Sequence, residues 1–293
     1  MILWCSYSDY SNLCQGFSDS LNAVGVESEN YSLTKHIFYD NNVLSAAKMI
    51  EKMEKADVIV MGHTNDLILD LCRDLGKKLI VLHTGTSFRQ NPEKYNEIFK
   101  GIESWTDSPE FMKYGCKHYI HAAIDTNTIK PDFTFYDMTF AHYPSKSEVK
   151  GTLTIKKIIE GFDSINFLCN TDLVSHEKHL QRVSKCDFYI EMLSTTQNGN
   201  IYGSFGVSSS EAACLGKIVL TNSLFHSVYE DAYDDYGEMI ICNSENELSS
   251  AINSLIHLTE EDILLKKKQT REWVVENHSF YATGLYLKQL LGI

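Results

Sequence analysis

The sequence contains little proline, no long hydrophobic run and no excess of positive charge. Only four of its 293 residues are proline, which leaves no proline-rich linker between domains. The longest apolar runs, such as residues 58–61 and 79–82, have the length of a strand and fall well short of the roughly 20 residues that cross a bilayer. The N-terminus shows neither a basic segment nor a long apolar stretch, so we expect no signal peptide.

Charge and cysteine content exclude further classes of protein. The chain has 26 Lys and Arg against 39 Asp and Glu, a net charge of −13, whereas proteins that bind the nucleic-acid backbone generally carry the opposite sign. General nucleic-acid binding is therefore disfavoured, while a local basic groove stays open as an alternative. The eight cysteines form no C-x-x-C pair, which is typical of reduced, mostly buried thiols in a cytoplasmic protein.

Three common nucleotide and hydrolase motifs are also absent. The sequence has no G-x-x-x-x-G-K-[ST], no G-x-G-x-x-G and no G-x-S-x-G. These absences disfavour a P-loop enzyme, a simple dinucleotide-binding domain and a serine hydrolase with a nucleophile elbow.

Apolar, strand-like runs and helical stretches alternate along the whole chain. In the first half the pattern predicts strands at 2–6, 57–61, 78–83, 104–106 and 118–124 and helices at 11–24, 42–55, 66–75, 92–100 and 109–114. After a break near 125–131 it predicts strands at 133–142, 165–170, 187–193, 218–222 and 238–241 and helices at 152–161, 176–184, 208–215, 245–258, 259–277 and 280–291. Buried strands separated by helices are typical of parallel sheets with right-handed crossovers. The sequence therefore predicts an α/β protein with two parallel-sheet domains and C-terminal helices.

The most informative stretch, residues 200–220, is a glycine-containing loop that leads into a helix. Glycines allow backbone N–H groups to approach a ligand closely, and a helix N-terminus favours anions. Ser204 and residues 208–210 add hydroxyl donors, and Glu211 lies one turn into the helix, where a carboxylate can accept hydrogen bonds from a pair of sugar hydroxyls. A tight turn followed by a glutamate that the helix dipole stabilises explains the same residues equally well.

A second stretch, residues 140–152, ends a predicted strand and continues as a polar loop to Lys150 and Gly151, which open a helix. A lysine in this position can neutralise a diphosphate that also lies on another helix N-terminus. Loops after parallel strands are where open α/β sheets bind their ligands.

Together the two stretches resemble the C-terminal domain of GT-B glycosyltransferases, especially the retaining family four. That family carries a lysine-glycine pair and the pattern E-G-F-G-x-x-x-x-E-A-x-x-x-G-x-P-V, which residues 203–206, 211–212 and 216–219 match in order and spacing. The resemblance implies that Lys150 contacts the donor diphosphate and that Glu211 holds the nucleotide ribose. It also implies a set of residues around the donor, with backbone amides at the phosphate, made up of Ser145, Ser204, Phe205, Gly206 and Val207.

Two positions depart from the family pattern. Gly203 stands where the family has its first glutamate, and Pro144 and Ser145 occupy the region where many members have an arginine. These departures support an alternative function, a degenerate GT-B module that binds a nucleotide sugar or a partner enzyme without turnover.

The first half resembles the same family more loosely. Residues 81–89 are similar to the H-x-G-S-x-x-R stretch of some relatives, and residues 104–110 and 124–127 resemble later landmarks. The resemblance implies that His83 lies near the donor sugar; a histidine with satisfied hydrogen bonds at a strand end is the alternative. Asp9, Tyr10 and Arg89 are predicted on the acceptor side.

The resemblance implies an enzyme that moves a sugar from a nucleotide-diphosphate donor, most simply a UDP-sugar, to an acceptor hydroxyl with retention. His83, Lys150 and Glu211 are its implied catalytic residues. No metal is expected, because the D-x-D motif of the other glycosyltransferase fold is absent, and no cofactor is expected beyond the donor. The acceptor alternatives are a glycan, a lipid-linked saccharide, a small molecule, a protein and a hydroxymethylated base in phage-like DNA.

The implied fold is GT-B, with two Rossmann-like domains facing a cleft and C-terminal helices. We expect an acceptor-side domain at 1–130, a nucleotide-sugar domain at 131–275, and a final helix at 276–293 that packs back on the first domain. We interpret the basic run at 266–268 as a solvated helix face, and we expect a cytoplasmic protein without integral membrane contact.

Overall fold

The computed structural model describes residues 1–36, 38–197, 199–203 and 205–293. The chain divides into two compact units, one formed by Met1–Asp125 with His278–Ile293 and the other by Thr126–Asn277. Within the described ranges, no helix combines the length and the apolar character that a membrane span requires.

The first unit is built around a parallel sheet of six strands in the order β2-β1-β3-β4-β5-β6. Its strands are β1 (Ile2–Ser6), β2 (Ser28–Ser32), β3 (Val58–Gly62), β4 (Lys78–His83), β5 (Glu103–Thr106) and β6 (His118–Tyr119). Trp4 of β1 lies opposite Asn30 on one side and Val60 on the other. The central strands are apolar throughout because helices cover both faces of the sheet.

Helices connect these strands. They are α1 (Leu13–Ala23), α2 (Ala46–Lys55), α3 (Asp66–Cys72), α4 (Gly85–Gln90) and α5 (Pro92–Ile98), with short 3-10 helices at Tyr10–Asn12 and Pro109–Tyr114. Met49 and Met53 of α2 are fully buried against Leu3, Ile59 and Val81 of the sheet. This burial of an amphipathic stripe supplies most of the stability of a short helix.

The second unit contains a parallel sheet of five strands in the order β13-β12-β9-β7-β8. Its strands are β7 (Thr139–His142), β8 (Asn166–Cys169), β9 (Phe188–Ile190), β12 (Ile218–Thr221) and β13 (Ile240–Ile241), and a separate antiparallel pair is formed by β10 (Thr196–Gln197) and β11 (Asn200–Ile201). Phe140 and Phe188 stack at 4.4 Å between ring centroids in the centre of its core.

The helices of this unit pack on both sides of the sheet. They are α6 (Ser147–Lys150), α7 (Thr152–Ile159), α8 (His176–Val183), α9 (Val207–Cys214), α10 (His226–Tyr233), α11 (Glu245–Leu255) and α12 (Glu260–His278). The chain then returns to the first unit through α13 (Phe280–Leu291). Gly284 allows α13 to approach α1 closely, since a Cβ there would overlap the Ser20 carbonyl oxygen.

The prediction of an α/β protein with two parallel sheets and C-terminal helices is confirmed. The predicted strand at 133–142 is too long, because its first part is a loop held by a tertiary contact. The Tyr136 N–H donates to both carboxylate oxygens of Asp187 (3.0 and 3.2 Å), and Asp137 and Met138 have left-handed φ values of 52° and 57°. Such a backbone cannot continue a strand.

The prediction that the basic run at 266–268 is solvated is wrong for Lys267. Its side chain is fully buried, and its Nζ lies 2.6 Å from a carboxylate oxygen of Asp187 and 2.7 Å from the Thr134 carbonyl oxygen. Lys266 also forms an ion pair, with Glu238, at 2.8 Å. Lys267 therefore anchors α12 to the start of β9.

Candidate functional site

The candidate site of the second unit lies at the carboxyl edge of its sheet, where the loops after β7, β9 and β12 meet. Lys150 is the last residue of α6, and 14% of its side chain is exposed. The helix ends there because Gly151 takes up a left-handed conformation (φ 74°) that glycine adopts without a steric penalty. The Lys150 carbonyl accepts a hydrogen bond from the Leu193 N–H at 3.2 Å, which fixes this turn to the loop after β9.

His142 also stabilises the turn at Lys150 and Gly151. It ends β7, and its Nδ1 lies 2.7 Å from the Ile190 carbonyl oxygen while its Nε2 lies 2.9 Å from the Thr152 hydroxyl. Burial lowers the pKa of His142 to about 4, so the imidazole is neutral at pH 7 and its Nδ1–H donates to the carbonyl. His142 thus joins β7, β9 and the start of α7 and positions the segment that carries Lys150.

Glu191 directly follows β9 and is the ion-pair partner of Lys150. Its carboxylate is fully buried and also accepts hydrogen bonds from the Thr221 hydroxyl (2.8 Å), the Ser208 hydroxyl (3.3 Å) and the Gly206 N–H (3.4 Å). Burial alone would raise the pKa of Glu191, but the charge and hydrogen bond of Lys150 hold it below its usual value. Burial likewise opposes the charge on Lys150, and Glu191 raises the pKa of that lysine. Both groups are therefore ionised.

Glu211 lies one turn into α9 and forms a hydrogen-bonded pair with a histidine. Its Oε1 is 2.5 Å from Nε2 of His176, the first residue of α8, and 9% of the glutamate side chain is exposed. Burial would lower the pKa of His176, but the hydrogen bond and charge of Glu211 raise it. Helix α8 begins at His176 because the Ser175 hydroxyl accepts a hydrogen bond from the Lys178 N–H (3.4 Å).

The glycine loop supplies backbone to this edge. Gly206 is the N-cap of α9, and its N–H points at Glu191. Gly203 has no room for a side chain, since a Cβ there would lie 2.6 Å from the Cβ of Leu224. This contact gives a physical reason for the absence of the family's first glutamate.

The remaining predicted donor residues take different positions. The Phe205 ring is buried and lies 5.1 Å from the Tyr229 ring, so its side chain belongs to the core. Val207 is half-buried at the start of α9, and Ser145 is exposed in the loop before α6. Ser204 lies outside the described residues.

The first unit also gathers polar side chains at the carboxyl edge of its sheet. Asp9 follows β1, His63 follows β3 and Thr84 follows β4, and they form a hydrogen-bonded chain. The Asp9 carboxylate lies 3.0 Å from His63 Nε2, and His63 Nδ1 lies 2.8 Å from the Thr84 hydroxyl. Asp9 also accepts the N–H groups of Cys14 (3.0 Å) and Gln15 (2.9 Å) at the start of α1.

Asp107 lies in the loop after β5 at the same edge. Burial raises its pKa to about 6. A carboxyl group with such a pKa exchanges protons near neutral pH.

One group of described residues offers the donor atoms of a metal site. The ligand atoms of Asp9, Cys14 and His63 lie within 4.8 Å of one another. Burial raises the pKa of the Cys14 thiol well above its usual value, which opposes the thiolate that a metal requires. The Asp9 carboxylate is already hydrogen-bonded to His63 and to α1, so the chemistry of this group fits a structural cap better than a metal centre.

The other residues predicted in the first unit differ in exposure. His83 ends β4 fully within the core, stacks on Phe88 at 4.0 Å between centroids, and burial lowers its pKa to about 3. Arg89 is buried in an ion pair with Glu110 (2.5 Å). Tyr10 is exposed, and its ring meets that of His63 edge-on at 5.3 Å.

Sequence reasoning missed Glu191 and His176, and it did not select His63 for the site. The available signal for Glu191 was a lone acidic residue at the end of an apolar strand. His176 carried only a position at a predicted helix start, which is uninformative alone. His63 follows a buried strand, whereas His83 ends one, and the left-handed φ of 67° at His63 is visible only in the structure.

Comparison with known proteins identifies the fold. No protein-family model and no curated protein matches the sequence. Among solved structures, HepE of Anabaena in complex with UDP is similar at a TM-score of 0.68 and 12% identity, with 99% of each chain covered. An α-glucosyltransferase in complex with UDP and a 13-mer DNA is similar at 0.68 and 11%, with 99% of this chain and 98% of that chain covered.

A third similar structure is sucrose-phosphate synthase from Thermosynechococcus elongatus, at a TM-score of 0.64 and 12% identity over 100% of this chain and 98% of that chain. These neighbours are GT-B glycosyltransferases, and this chain has their fold. The predicted GT-B fold is thereby confirmed.

Proposed function

We propose that this protein is a glycosyltransferase that moves a sugar from a UDP-sugar to an acceptor hydroxyl. The observation that carries the proposal is the shared location of Lys150, the N-terminus of α9 and Glu211 at one edge of the second sheet. These are the groups that the resemblance to retaining family four assigns to the donor. The two solved structures named above with UDP support uridine as the donor nucleoside.

The chemistry follows from charge. When the bond from the sugar to the diphosphate breaks, negative charge grows on the leaving phosphate oxygen. The Lys150 ammonium and the backbone N–H groups at Gly206 and Val207 stabilise that charge, and electrostatic stabilisation is the largest contribution in most reactions of this kind. Glu211 accepts hydrogen bonds from the ribose hydroxyls and orients the donor, and His176 holds the Glu211 carboxylate in place.

The proposal also covers the stereochemistry, the metal requirement and the binding of donor and acceptor. The resemblance to retaining family four supports transfer with retention, and the absence of D-x-D in the sequence supports a reaction without a metal. The second unit binds the donor, and Asp9 and Tyr10 of the first unit are assigned to the acceptor side, with cytoplasmic activity. The net charge of −13 favours a saccharide or small-molecule acceptor over a DNA base.

A second candidate function is a binding module without turnover. It is favoured by Gly203, because the family's first glutamate is missing and Leu224 fills the space. Retention of both Lys150 and Glu211 favours the enzyme.

Nucleotide binding is the first test. A thermal-shift panel with UDP, GDP, ADP, CDP and dTDP is run on the wild type, Lys150→Ala and Glu211→Ala. A ligand at 100 times its Kd stabilises the folded state by about 2.7 kcal/mol, and we expect this for UDP with the wild type only. Lys146→Ala is the matched control, because Lys146 is an exposed lysine at the other end of α6.

Turnover then separates the two candidates. Incubation with UDP-glucose, UDP-galactose and UDP-N-acetylglucosamine should release UDP from one donor, slowly in water and faster with an acceptor saccharide. UDP binding with no release from any donor would favour the binding module. The absence of a shift with every nucleotide at millimolar concentration would overturn the enzyme and favour a module that binds a partner enzyme.

A further inference from the structure

The Glu191 carboxylate is bound by the same groups that the proposed function assigns to the donor diphosphate. It forms an ion pair with Lys150 and accepts hydrogen bonds from the Gly206 N–H at the N-cap of α9 and from the Ser208 hydroxyl. An ammonium, a helix N-terminus and a hydroxyl are typical phosphate ligands. The Glu191 side chain therefore already occupies the groups that would bind the phosphate.

The charges of this ion pair cancel. Lys150 contributes one positive charge and Glu191 one negative charge. The other three direct partners of the carboxylate, the Thr221 hydroxyl, the Ser208 hydroxyl and the Gly206 N–H, are neutral. An incoming diphosphate thus meets a neutral pair rather than a free cation. It has to share Lys150 and the Gly206 N–H with a carboxylate, and the two anions repel each other at short range.

A reason for the pair lies in the burial of Lys150. A lysine that is largely removed from water loses its proton or destabilises the fold unless an opposite charge compensates it. Glu191, fixed from beneath by the Thr221 hydroxyl on β12, keeps the ammonium charged and in place when no donor is bound.

We propose that Glu191 is a built-in competitor of the donor diphosphate for Lys150 and the α9 N-terminus. The inference rests on the proposed function. Glu191 acts through Lys150 and is a positioning residue. It keeps the Lys150 ammonium charged and in place, and it weakens the binding of the diphosphate. Because it opposes the nucleoside diphosphate after transfer as well as before it, Glu191 favours release of that product.

The test measures diphosphate affinity in the variant Glu191→Gln. Isothermal titration with UDP and with inorganic diphosphate at pH 7.5 is expected to give a Kd about tenfold lower than in the wild type, which equals about 1.4 kcal/mol. The neutral amide keeps the size of the side chain but no longer competes as an anion. The unliganded variant should melt at a lower temperature, because Lys150 loses its partner.

A matched control separates the local pair from general charge. Glu148→Gln removes the same charge from an exposed position on α6, two residues before Lys150, and should leave both Kd values within about twofold of the wild type. Glu191→Asp, which retains a carboxylate but draws it back from Lys150, serves if the glutamine variant does not fold, and it should show a smaller gain in affinity.

A gain in affinity cannot arise from a merely structural role, since damage to the fold weakens binding. If the wild type binds UDP, Lys150→Ala abolishes binding and the Glu191 variants bind equally or more weakly, the competitor role is wrong and the proposed donor site stands. If neither the wild type nor the Glu191 variants bind UDP or diphosphate, the proposed function is overturned together with this inference.

Discussion

Nε2 of His176 and Oε1 of Glu211 lie 2.5 Å apart and join the first turn of α8 to the middle of α9. The pair places an imidazole, which is positively charged when protonated, beside the carboxylate assigned to the ribose. Because 29% of the His176 side chain and 9% of that of Glu211 are exposed, water partly screens the pair, but Glu211 still changes the pKa of the histidine. Glu211 raises the pKa of His176 against the opposing effect of burial.

This shift predicts a pH-dependent stability. A histidine whose pKa is raised by folding stabilises the protein fully below its unfolded pKa of about 6.5, and this contribution is lost as the pH rises through the folded pKa. Replacing His176 by Gln should therefore cost about 1 kcal/mol at pH 6 and much less at pH 9. Urea denaturation at both pH values measures the difference. His257→Gln is the control, because the exposed His257 ring bonds to the Asn253 carbonyl and not to a carboxylate; an equal pH dependence in both variants would contradict the prediction.

Two buried histidines predict the opposite dependence on pH. Burial lowers the pKa of His83 to about 3 and that of His142 to about 4. Since both values lie below that of an unfolded histidine, the unfolded chain binds protons first, and stability falls as the pH falls from about 6.5 toward 4. NMR titration of 15N-labelled histidine should show both rings neutral at pH 5, while the urea-unfolded chain is protonated. Protonation of His83 near pH 6 would contradict this prediction.

The buried pair of Lys267 and Asp187 predicts a large loss of stability on removal of one partner. Both side chains are fully buried, and the carboxylate also receives the N–H groups of Tyr136 and Thr139. Lys267→Met leaves this carboxylate uncompensated and should reduce the free energy of unfolding by about 3–5 kcal/mol. The neighbouring Lys268 is exposed, so Lys268→Met should change it by less than about 0.5 kcal/mol. Equal effects in chemical denaturation would place Lys267 at the surface instead.

These examples show which parts of the structure can be predicted from local sequence. The strands at 2–6 and 78–83 are predicted to the residue, because a run of apolar residues between turn signals is a local property. The loop at 133–138 is not, since it is held by Asp187, about fifty positions away. The burial of Lys267 is not predicted, for the same reason. A basic run in the sequence does not show that the Asp187 carboxylate packs against one of its lysines.

The candidate site divides in the same way. Lys150 and Glu211 belong to contiguous motifs with fixed spacing, and the structure brings both to one sheet edge. Glu191 lies 41 positions from Lys150 and 30 from Thr221, so its burial and its charge partner arise only when β9, β12 and α6 assemble. The sequence alone therefore does not show that Glu191 is the partner of Lys150.

Gly203 yields a prediction about the missing glutamate. A Cβ at this position would lie 2.6 to 2.8 Å from three side-chain atoms of Leu224, while the Leu224 N–H donates to the Gly203 carbonyl at 3.0 Å and keeps the two segments together. Gly203→Glu should therefore reduce the free energy of unfolding by about 1–3 kcal/mol through overpacking. The double variant Gly203→Glu with Leu224→Gly removes all three obstructing side-chain atoms and should recover at least half of that loss. Leu224→Gly alone serves as the control, since Leu224 is 40% exposed and lies outside the helices and strands, so its truncation should cost little. If Gly203→Glu is as stable as the wild type, the close packing of Leu224 does not explain the departure from the family pattern, and UDP-sugar turnover in that variant then measures directly what the glutamate contributes.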